Sequence, residues 1–349
     1  MGLPNIFIEF KSKASTAIQR GDRGIVACVL VDDNPLITRL DTVLDIPDDL
    51  TVANKDFLKL AFLGGANAVN YVQLIVCESI ADGLEMMQSC KFDYVAFDPA
   101  ITAEDVALAA TMIKTMRDND NMKVKAVLPN CKADHEGIIN FTTDNIVTTT
   151  KTYSTAEYCS RIASLLAGTP LQVSCTYYTV PEIIDVPRFK KSILDNMVND
   201  GQFVIFNDGE NCKVARAINS LTTIGEVKSE DLKSTKFVDI MDLIYHDIKN
   251  VCENQYVGKY ANTYDNKINL VVAIQSYLEG LRNDTLLDSD IVTEIDIESQ
   301  KAFLKTTGYD VDNMSEQEIK ESNTKRSVFI KSSYKILDAI EDISVIFNI

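Results

Sequence analysis

Two histidines are the only imidazole groups in this 349-residue chain, and they mark where acid–base chemistry could occur. His135 lies in the segment 131–137, where Asp134 and Glu136 could orient or charge its ring and Cys131 suggests a Cys–His pair. Catalytic partners usually come from distant parts of a sequence, whereas these residues share one short loop. His246 falls on the polar face of a helical pattern, as a solvated or capped surface histidine does. The sequence therefore favours a structural role for both histidines.

The sequence patterns of other catalytic and cofactor sites are missing. There is no Gly-x-Ser-x-Gly elbow, no His-Glu-x-x-His pair and no phosphate-binding loop. Gly64 and Gly65 lack the third glycine of a dinucleotide site and are better explained as a helix stop. One carboxylate-rich stretch could hold a metal, although acids at a helix start explain it more simply: Asp93, Asp98, Glu104 and Asp105. We therefore predict no catalytic residue, no cofactor and no metal ligand.

Composition narrows the class of protein further. The net charge of −17 and the absence of tryptophan argue against a nucleic-acid surface, which selects for basic and aromatic side chains. The eight cysteines are scattered and form no Cys-x-x-Cys pair, which indicates reduced, mostly buried thiols. Without a basic leader or an apolar run of about 20 residues, we expect no signal peptide and no membrane insertion. We therefore expect the protein to fold in a cytoplasm and to leave the cell by lysis.

The elements that must position these residues alternate between strand and helix in the first half of the chain. Apolar runs predict strands at 25–31, 71–77, 94–97, 123–128 and 146–147. Helical spacing predicts helices at 56–62, 80–90, 102–116 and 155–166, with Ser79 and Thr102 as N-caps. This alternation predicts a parallel sheet covered by helices.

The pattern changes after residue 180. Two short strands around the Asp-Gly turn at 207–211 predict a hairpin. A short helix at 189–198 and longer ones near 237–251 and 268–281 follow from apolar residues at helical spacing. The polar segments 284–290 and 308–322 are expected to be exposed.

Both chain ends alternate like half-buried strands that have no sheet beside them. At the N-terminus, Asn5 precedes the alternating residues Ile6, Phe7, Ile8, Glu9 and Phe10. At the C-terminus, the apolar residues are Ile343, Val345, Ile346, Phe347 and Ile349. A lone strand satisfies neither its backbone groups nor its apolar face, so each end needs a sheet in its own body or in a neighbour.

Several motifs make the chain similar to a known family. They are residues 2–11 (Gly-Leu-Pro-Asn-Ile-Phe-Ile-Glu-Phe-Lys), 19–24 (Gln-Arg-Gly-Asp-Arg-Gly), 167–171 (Ala-Gly-Thr-Pro-Leu) and 217–223 (Ala-Ile-Asn-Ser-Leu-Thr-Thr). Together they resemble tail sheath proteins of contractile phages of Gram-positive bacteria and of R-type bacteriocins such as diffocin. The similarity spans essentially the whole chain.

The resemblance implies an α/β fold class: a subtilisin-like parallel-sheet body without catalytic residues, an α+β C-terminal domain, and extended strand arms at both ends. The corresponding domains are an N-terminal arm and linker at 1–23, the body at 24–180, the α+β domain at 181–327 and the C-terminal strands at 328–349. Gly21, Gly24, Asp338 and Asp342 are the expected hinges of the arms.

The implied function is structural and not enzymatic. Subunits of such a sheath polymerise helically, in stacked hexameric rings, around an inner tail tube, and contraction drives the tube through a cell envelope. The implied partners are other copies of the chain, the tail tube protein, and baseplate and tail terminator proteins, with no nucleic acid. The particle would assemble in the bacterial host cytoplasm and leave by lysis.

Two other classes of protein stay open from the residues alone. One is a degenerate hydrolase that keeps activity through His135. The other is a monomeric ligand-binding α/β protein, in which both terminal strands pair within one subunit.

Overall fold

The computed structural model of the chain describes residues 18, 21–225 and 228–348. They divide into two units, one formed by residues 21–246 with 338–348 and the other by residues 247–337. In chain order, the helices are α1 (Val52–Ala61), α2 (Ile80–Met86), α3 (Ala103–Asp118), α4 (Cys159–Ala167), α5 (Lys191–Asn199), α6 (Thr235–Val251), α7 (Tyr264–Asn283), α8 (Ile297–Thr306) and α9 (Glu316–Glu321).

The strands of the first unit form three sheets. They are β1 (Ile25–Val31), β2 (Leu36–Leu40), β3 (Tyr71–Cys77), β4 (Tyr94–Phe97), β5 (Lys125–Pro129), β6 (Ile138–Phe141), β7 (Ile146–Thr148), β8 (Thr152–Tyr153), β9 (Ile183–Asp185), β10 (Gln202–Phe203), β11 (Ile205–Asn207) and β12 (Cys212–Val214). The largest sheet has the order β10-β6-β5-β4-β1-β3-β2. The smaller ones are β8-β7-β9 and the β11–β12 hairpin, which confirms the hairpin predicted from the Asp-Gly turn.

The large sheet is covered by helices on both faces because β1 and β4, at its centre, are apolar at every position. In β1, Val26, Cys28 and Leu30 pack in one layer with residues of α1 and α4. Ile25, Ala27 and Val29 pack in the other layer with residues of α2 and α3. Near-continuous apolar strands are typical of parallel sheets buried on both sides. The predicted mixed α/β body with a parallel sheet is confirmed.

The starts of α2 and α3 follow from their capping residues. Ser79 and Thr102 accept hydrogen bonds from the backbone N–H groups of Asp82 and Asp105, which satisfies donors that have no partner within the helix. Glu104 and Asp105 lie in the first turn of α3, where the helix dipole favours negative charge. Both predicted caps are confirmed.

One edge of the large sheet differs from the prediction of parallel strands alone. Residues 36–40 form β2, which runs antiparallel to β3 with Thr38 opposite Leu74. The sequence does not predict this strand, because its apolar and polar residues do not alternate. The adjacent apolar residues Leu36 and Ile37 are both partly exposed at the edge of the sheet.

The second unit pairs helices with a small antiparallel sheet of β13 (Val292–Ile295) and β14 (Ile330–Ser333). The segments 284–290 and 308–322 are mostly exposed, as expected, but each contains buried apolar residues. Leu286 and Leu287 are buried, and Val311 and Ile319 of the later segment pack against Leu304. One or two apolar residues anchor each of these polar segments. They are too few to form the repeating apolar pattern from which burial is predicted.

The cysteine prediction is confirmed, because all eight thiols are unpaired and five are buried: Cys28, Cys77, Cys159, Cys175 and Cys212. In the described part of the chain, no helix combines the length and the apolar character needed to cross a lipid bilayer.

Candidate assembly site

The N-terminal root, residues 21–25, is where the chain leaves the predicted N-terminal arm and enters the body. The predicted arm residues Asn5, Ile6, Phe7, Ile8, Glu9 and Phe10 lie outside the described residues. The backbone N–H groups of Gly24 and Ile25 donate to one oxygen of Asp93, at 2.7 and 2.8 Å. Gly24 has a φ of +85°, a conformation that favours glycine. Gly21 is exposed and Gly24 is buried, so the chain becomes fixed between them.

A buried ion cluster continues from this root into the body. Arg23 pairs with Asp239 of α6 and also donates to the carbonyl of Thr169, at 3.0 Å. Lys125 of β5 lies 3.1 Å from Asp239 and 2.6 Å from Asp242. Because all of these carboxylate contacts reach α6, the cluster fastens the start of that helix to the sheet.

Each carboxylate of the cluster has several partners. Arg117 makes a two-pronged contact with Asp242, at 2.9 and 3.0 Å, and the hydroxyl of Tyr94 donates to Asp239 at 2.8 Å. Burial opposes ionisation of Asp242, but the charges of Lys125 and Arg117 outweigh it and hold the pKa of this carboxyl below its ordinary value. Buried charges of this kind are tolerated only when they are paired.

The C-terminal root, residues 338–342, is anchored to the same unit by side chains. Glu341 accepts hydrogen bonds from Ser174 and Thr176, at 2.9 and 2.6 Å. Arg216 bridges Glu341 at 3.0 Å and Asp342 at 2.6 Å, and these contacts, with that of Asp342 foremost, raise the pKa of the guanidinium. Asp338 accepts from Ser234 at 3.4 Å.

Beyond the C-terminal root, the chain is exposed and apolar. Ile343, Val345, Ile346 and Phe347 are 64–84% exposed. Residues 343–348, which we call the C-terminal arm, form no strand within the described part of the chain, and Ile349 lies outside it. Large apolar side chains placed together in water mark a surface that another group covers. The predicted strand pairing of this arm stays a prediction.

The loop around His135 fastens another segment and leaves little freedom for catalysis. Asp134 accepts from the backbone N–H groups of Thr222 and Thr223, at 2.7 and 2.8 Å, and Glu136 pairs with Lys228 at 2.8 Å. Burial raises the pKa of the Cys131 thiol, which keeps it protonated and poorly nucleophilic. These acids hold Thr222, Thr223 and Lys228 against the loop.

The tautomer of His135 bears on metal binding. Asp118, His135 and Glu136 bring potential ligand atoms within 4.8 Å of one another. The N–H of Gly137 donates to Nδ1 of His135 at 3.0 Å, so the other nitrogen, Nε2, carries the proton and faces Asp118 at 3.3 Å. Metal coordination through Nε2 needs a free lone pair there. The arrangement therefore fits a hydrogen-bonded network better than a metal centre.

The remaining sequence candidates also have structural partners. Asp98 accepts from the backbone N–H groups of Val31 and Ala100, at 2.9 and 2.8 Å. His246 is half-buried and its Nε2 lies 3.3 Å from the carbonyl of Lys123. Asp93, Glu341 and Arg216 secure the two roots, and no sequence pattern indicates this role because these residues lie far from their partners along the chain.

Comparison with known proteins agrees with this arrangement. Residues 75–220 match the family model of the phage tail sheath protein central domain, and residues 227–349 match that of the phage tail sheath C-terminal domain. The tail sheath protein of Clostridium phage phiCD119 is 39% identical over 352 residues, which cover 99% of this chain and 98% of that protein.

Solved structures share the fold. The sheath tail protein of Desulfitobacterium hafniense is similar with a TM-score of 0.70 and 17% identity, over 84% of this chain and 94% of that one. The helical sheath of the anti-feeding prophage, in its contracted state, is similar with a TM-score of 0.73 and 13% identity, over 100% of this chain and 99% of that one. The fold is thus that of subunits of contractile sheaths. The chain belongs to the phage tail sheath protein family, a structural family and not a family of enzymes.

Proposed function

We propose that this chain is the subunit of a contractile tail sheath that polymerises helically around an inner tube and contracts to drive the tube through a target envelope. The observation that carries the proposal is a pair of tightly anchored arm roots, one followed by an exposed apolar arm, in a chain that matches tail sheath proteins along its length. An exposed apolar chain end of this kind marks a surface for a neighbouring subunit to cover.

Strand exchange is the proposed form of that cover. Each arm adds as a strand to a sheet of a neighbouring subunit, so that main-chain hydrogen bonds hold it and alternate side chains enter pockets. A donated strand that buries three large apolar residues gains roughly 1.5–3 kcal/mol for each of them. Repeated along a particle, such links keep the lattice connected while the bodies move.

The proposed hinges lie within the two roots. The contacts of Arg23 and of Glu341 hold each arm base to the body. Gly21, Gly24, Asp338 and Asp342 are the proposed hinges, and Gly21, the exposed one of the two glycines, would turn most freely. Hinges of a few residues next to rigid elements are a common basis for large rearrangements.

The finer assembly is also proposed. Hexameric rings stack around a tail tube protein, with baseplate and terminator proteins at the ends, in a phage tail or bacteriocin particle assembled in the host cytoplasm and released by lysis. The anti-feeding prophage baseplate, a similar structure, is six-fold symmetrised. The division into an arm at 1–23, a subtilisin-like body at 24–180, an α+β domain at 181–327 and terminal strands at 328–349 belongs to the same proposal.

Electron microscopy of the expressed chain tests this function. We expect hollow, striated tubes from the full chain, and folded but unassembled protein when residues 1–11 are deleted. A full chain that stays monomeric at high concentration contradicts the sheath function. Tubes from the deletion variant contradict the role of the N-terminal arm while leaving the sheath function in place.

A further inference from the structure

The two edges of the large sheet carry opposite charge. At the β2 edge, the connection to α1 holds Asp41, Val43, Leu44, Asp45, Asp48 and Asp49, which we call the acidic patch. At the β10 edge, the segment entering α5 holds Arg188, Phe189, Lys190, Lys191 and Ile193, which we call the basic patch. Helix α5 contacts β10, the last strand at that edge.

The acidic patch is exposed and only weakly neutralised. Arg39 pairs with Asp41 at 2.6 Å, while Lys55 is directed to the backbone carbonyl of Asp48. Leu44 is 94% exposed, and among the described residues β2 pairs only with β3. The patch thus combines three carboxylates that have no ion-pair partner among the described residues, those of Asp45, Asp48 and Asp49, with an apolar side chain beside an open sheet edge.

The basic patch contradicts the local rules for a helix start. Lys190 is the N-cap of α5 and forms no capping hydrogen bond with its side chain, and Lys191 is the first helical residue. Cations at the positive end of a helix dipole are unfavourable, and the first turn contains no acid. Within the described residues, neither lysine has an ion-pair partner. A sequence that departs from local preference without internal compensation often does so at an interaction surface.

Phe189 and Ile193 complete the basic patch with partly exposed apolar side chains, at 41% and 44%. Each patch is therefore an apolar centre with a charged rim, and the signs of the two rims are opposite. In a chain of net charge −17, a cluster of three exposed bases stands out, of which Arg188 pairs with Asp185 at 3.5 Å and the two lysines are unpaired among the described residues. Complementary rims set register and orientation between surfaces that meet.

We propose that the acidic patch of one subunit docks on the basic patch of the next copy of this chain. Two different patches on opposite edges of one sheet make a heterologous, head-to-tail contact, the kind that generates rings or helical filaments. Carboxylates brought to the start of α5 would meet both lysines and the free N–H groups of the helix. This inference rests on the proposed sheath function and names a body-to-body contact within it.

Charge reversal and rescue test this contact. The variants are Lys190→Glu with Lys191→Glu, Asp48→Lys with Asp49→Lys, and all four together. We expect each reversed pair to raise the protein concentration needed for half-maximal tube formation at least roughly tenfold, because like charges then face each other. The fourfold variant should return to within about threefold of the unaltered chain, since opposite charges face each other again.

Two features keep the test specific. Glutamates at the start of α5 suit the helix dipole, so the first reversed pair should not unfold the protein, which thermal unfolding verifies. Lys301→Glu with Lys305→Glu, in α8, is the matched control and should assemble like the unaltered chain. Unaltered assembly of either reversed pair, or a fourfold variant that stays unassembled, overturns the contact. Failure of the unaltered chain to form tubes instead overturns the sheath function.

Discussion

At the scale of single residues, the groups that could do chemistry are used to hold segments together. His135, Asp134 and Glu136 fit the composition of an acid–base site, yet each is bonded to a particular partner. The partners are Gly137 for His135, Thr222 for Asp134 and Lys228 for Glu136. The sequence supports only the residue types, because the partners of the two acids come from segments about 90 residues away. The sequence therefore indicates where the cluster lies, and the contacts identify the residues that it holds.

His135 should make stability depend on pH. Burial, the largest influence, lowers its pKa, although the nearby acids Glu136 and Asp118 act in the opposite direction. The unfolded chain then binds the proton more readily than the folded one, so the free energy of unfolding decreases as pH falls below about 6.5 toward the folded pKa. We expect the stability difference between the unaltered chain and His135→Gln to shrink between pH 7.5 and pH 5.5, as measured by urea unfolding. A difference that stays constant or grows with acid contradicts this account.

Asp242→Asn should be strongly destabilising. The change leaves Lys125 and Arg117 buried without their main counter-charge, and breaking a buried ion pair typically costs about 3–5 kcal/mol. Urea unfolding of the unassembled chain measures the loss. Asp120→Asn, at an exposed position, is the control and should change stability by less than about 0.5 kcal/mol. Equal effects at both positions would show that the cluster does not stabilise the body.

At the scale of elements, the sequence predicts what repeats locally. The sequence predicts strands β3 and β4 at their observed bounds. It also predicts the caps Ser79 and Thr102, because a capping residue lies within four positions of the backbone N–H group that it binds. Strand β2 and helix α9 were missed for a physical reason. An exposed edge strand and a six-residue helix with one buried side chain, Ile319, lack the periodic apolar face on which such predictions depend.

Gly168→Ala should disturb the end of α4. A Cβ at this position would lie 2.3 Å from the carbonyl oxygen of Asn67 and 2.5 Å from the nitrogen of Gly65. Both are backbone atoms, so the neighbouring loop must move, and we expect a loss of about 1–3 kcal/mol in the free energy of unfolding.

Gly280→Ala, within α7, is the matched control for that change. No atom lies within 4 Å of a Cβ there, and alanine favours the helix by roughly 0.5–1 kcal/mol. Opposite signs for the two substitutions, measured by the same thermal unfolding experiment, are expected. Neutral behaviour of Gly168→Ala would mean that the loop yields at little cost.

At the scale of the whole molecule, the C-terminal pattern predicts a sheet partner that the described residues of one subunit do not supply. Alternation of Ile343, Val345 and Phe347 indicates a half-buried strand, and the described C-terminal arm is exposed and unpaired in a single chain. A sequence specifies the pattern of such a strand but not the surface that covers it. In the proposed sheath that surface belongs to another copy, which no pattern within one chain can identify.

Phe347→Asp should separate folding from assembly. Phe347 is 84% exposed, so its replacement removes no contact within the subunit and should leave the melting temperature unchanged. In an exchanged strand the same position would be buried, where an unpaired carboxylate is strongly unfavourable, and tubes should be lost. Asn348→Asp adds the same charge on the opposite face of the predicted strand and should still assemble. Electron microscopy and sedimentation of both variants decide the matter: tubes from Phe347→Asp contradict strand exchange, whereas loss of tubes from both variants indicates a general effect of charge and not a buried face.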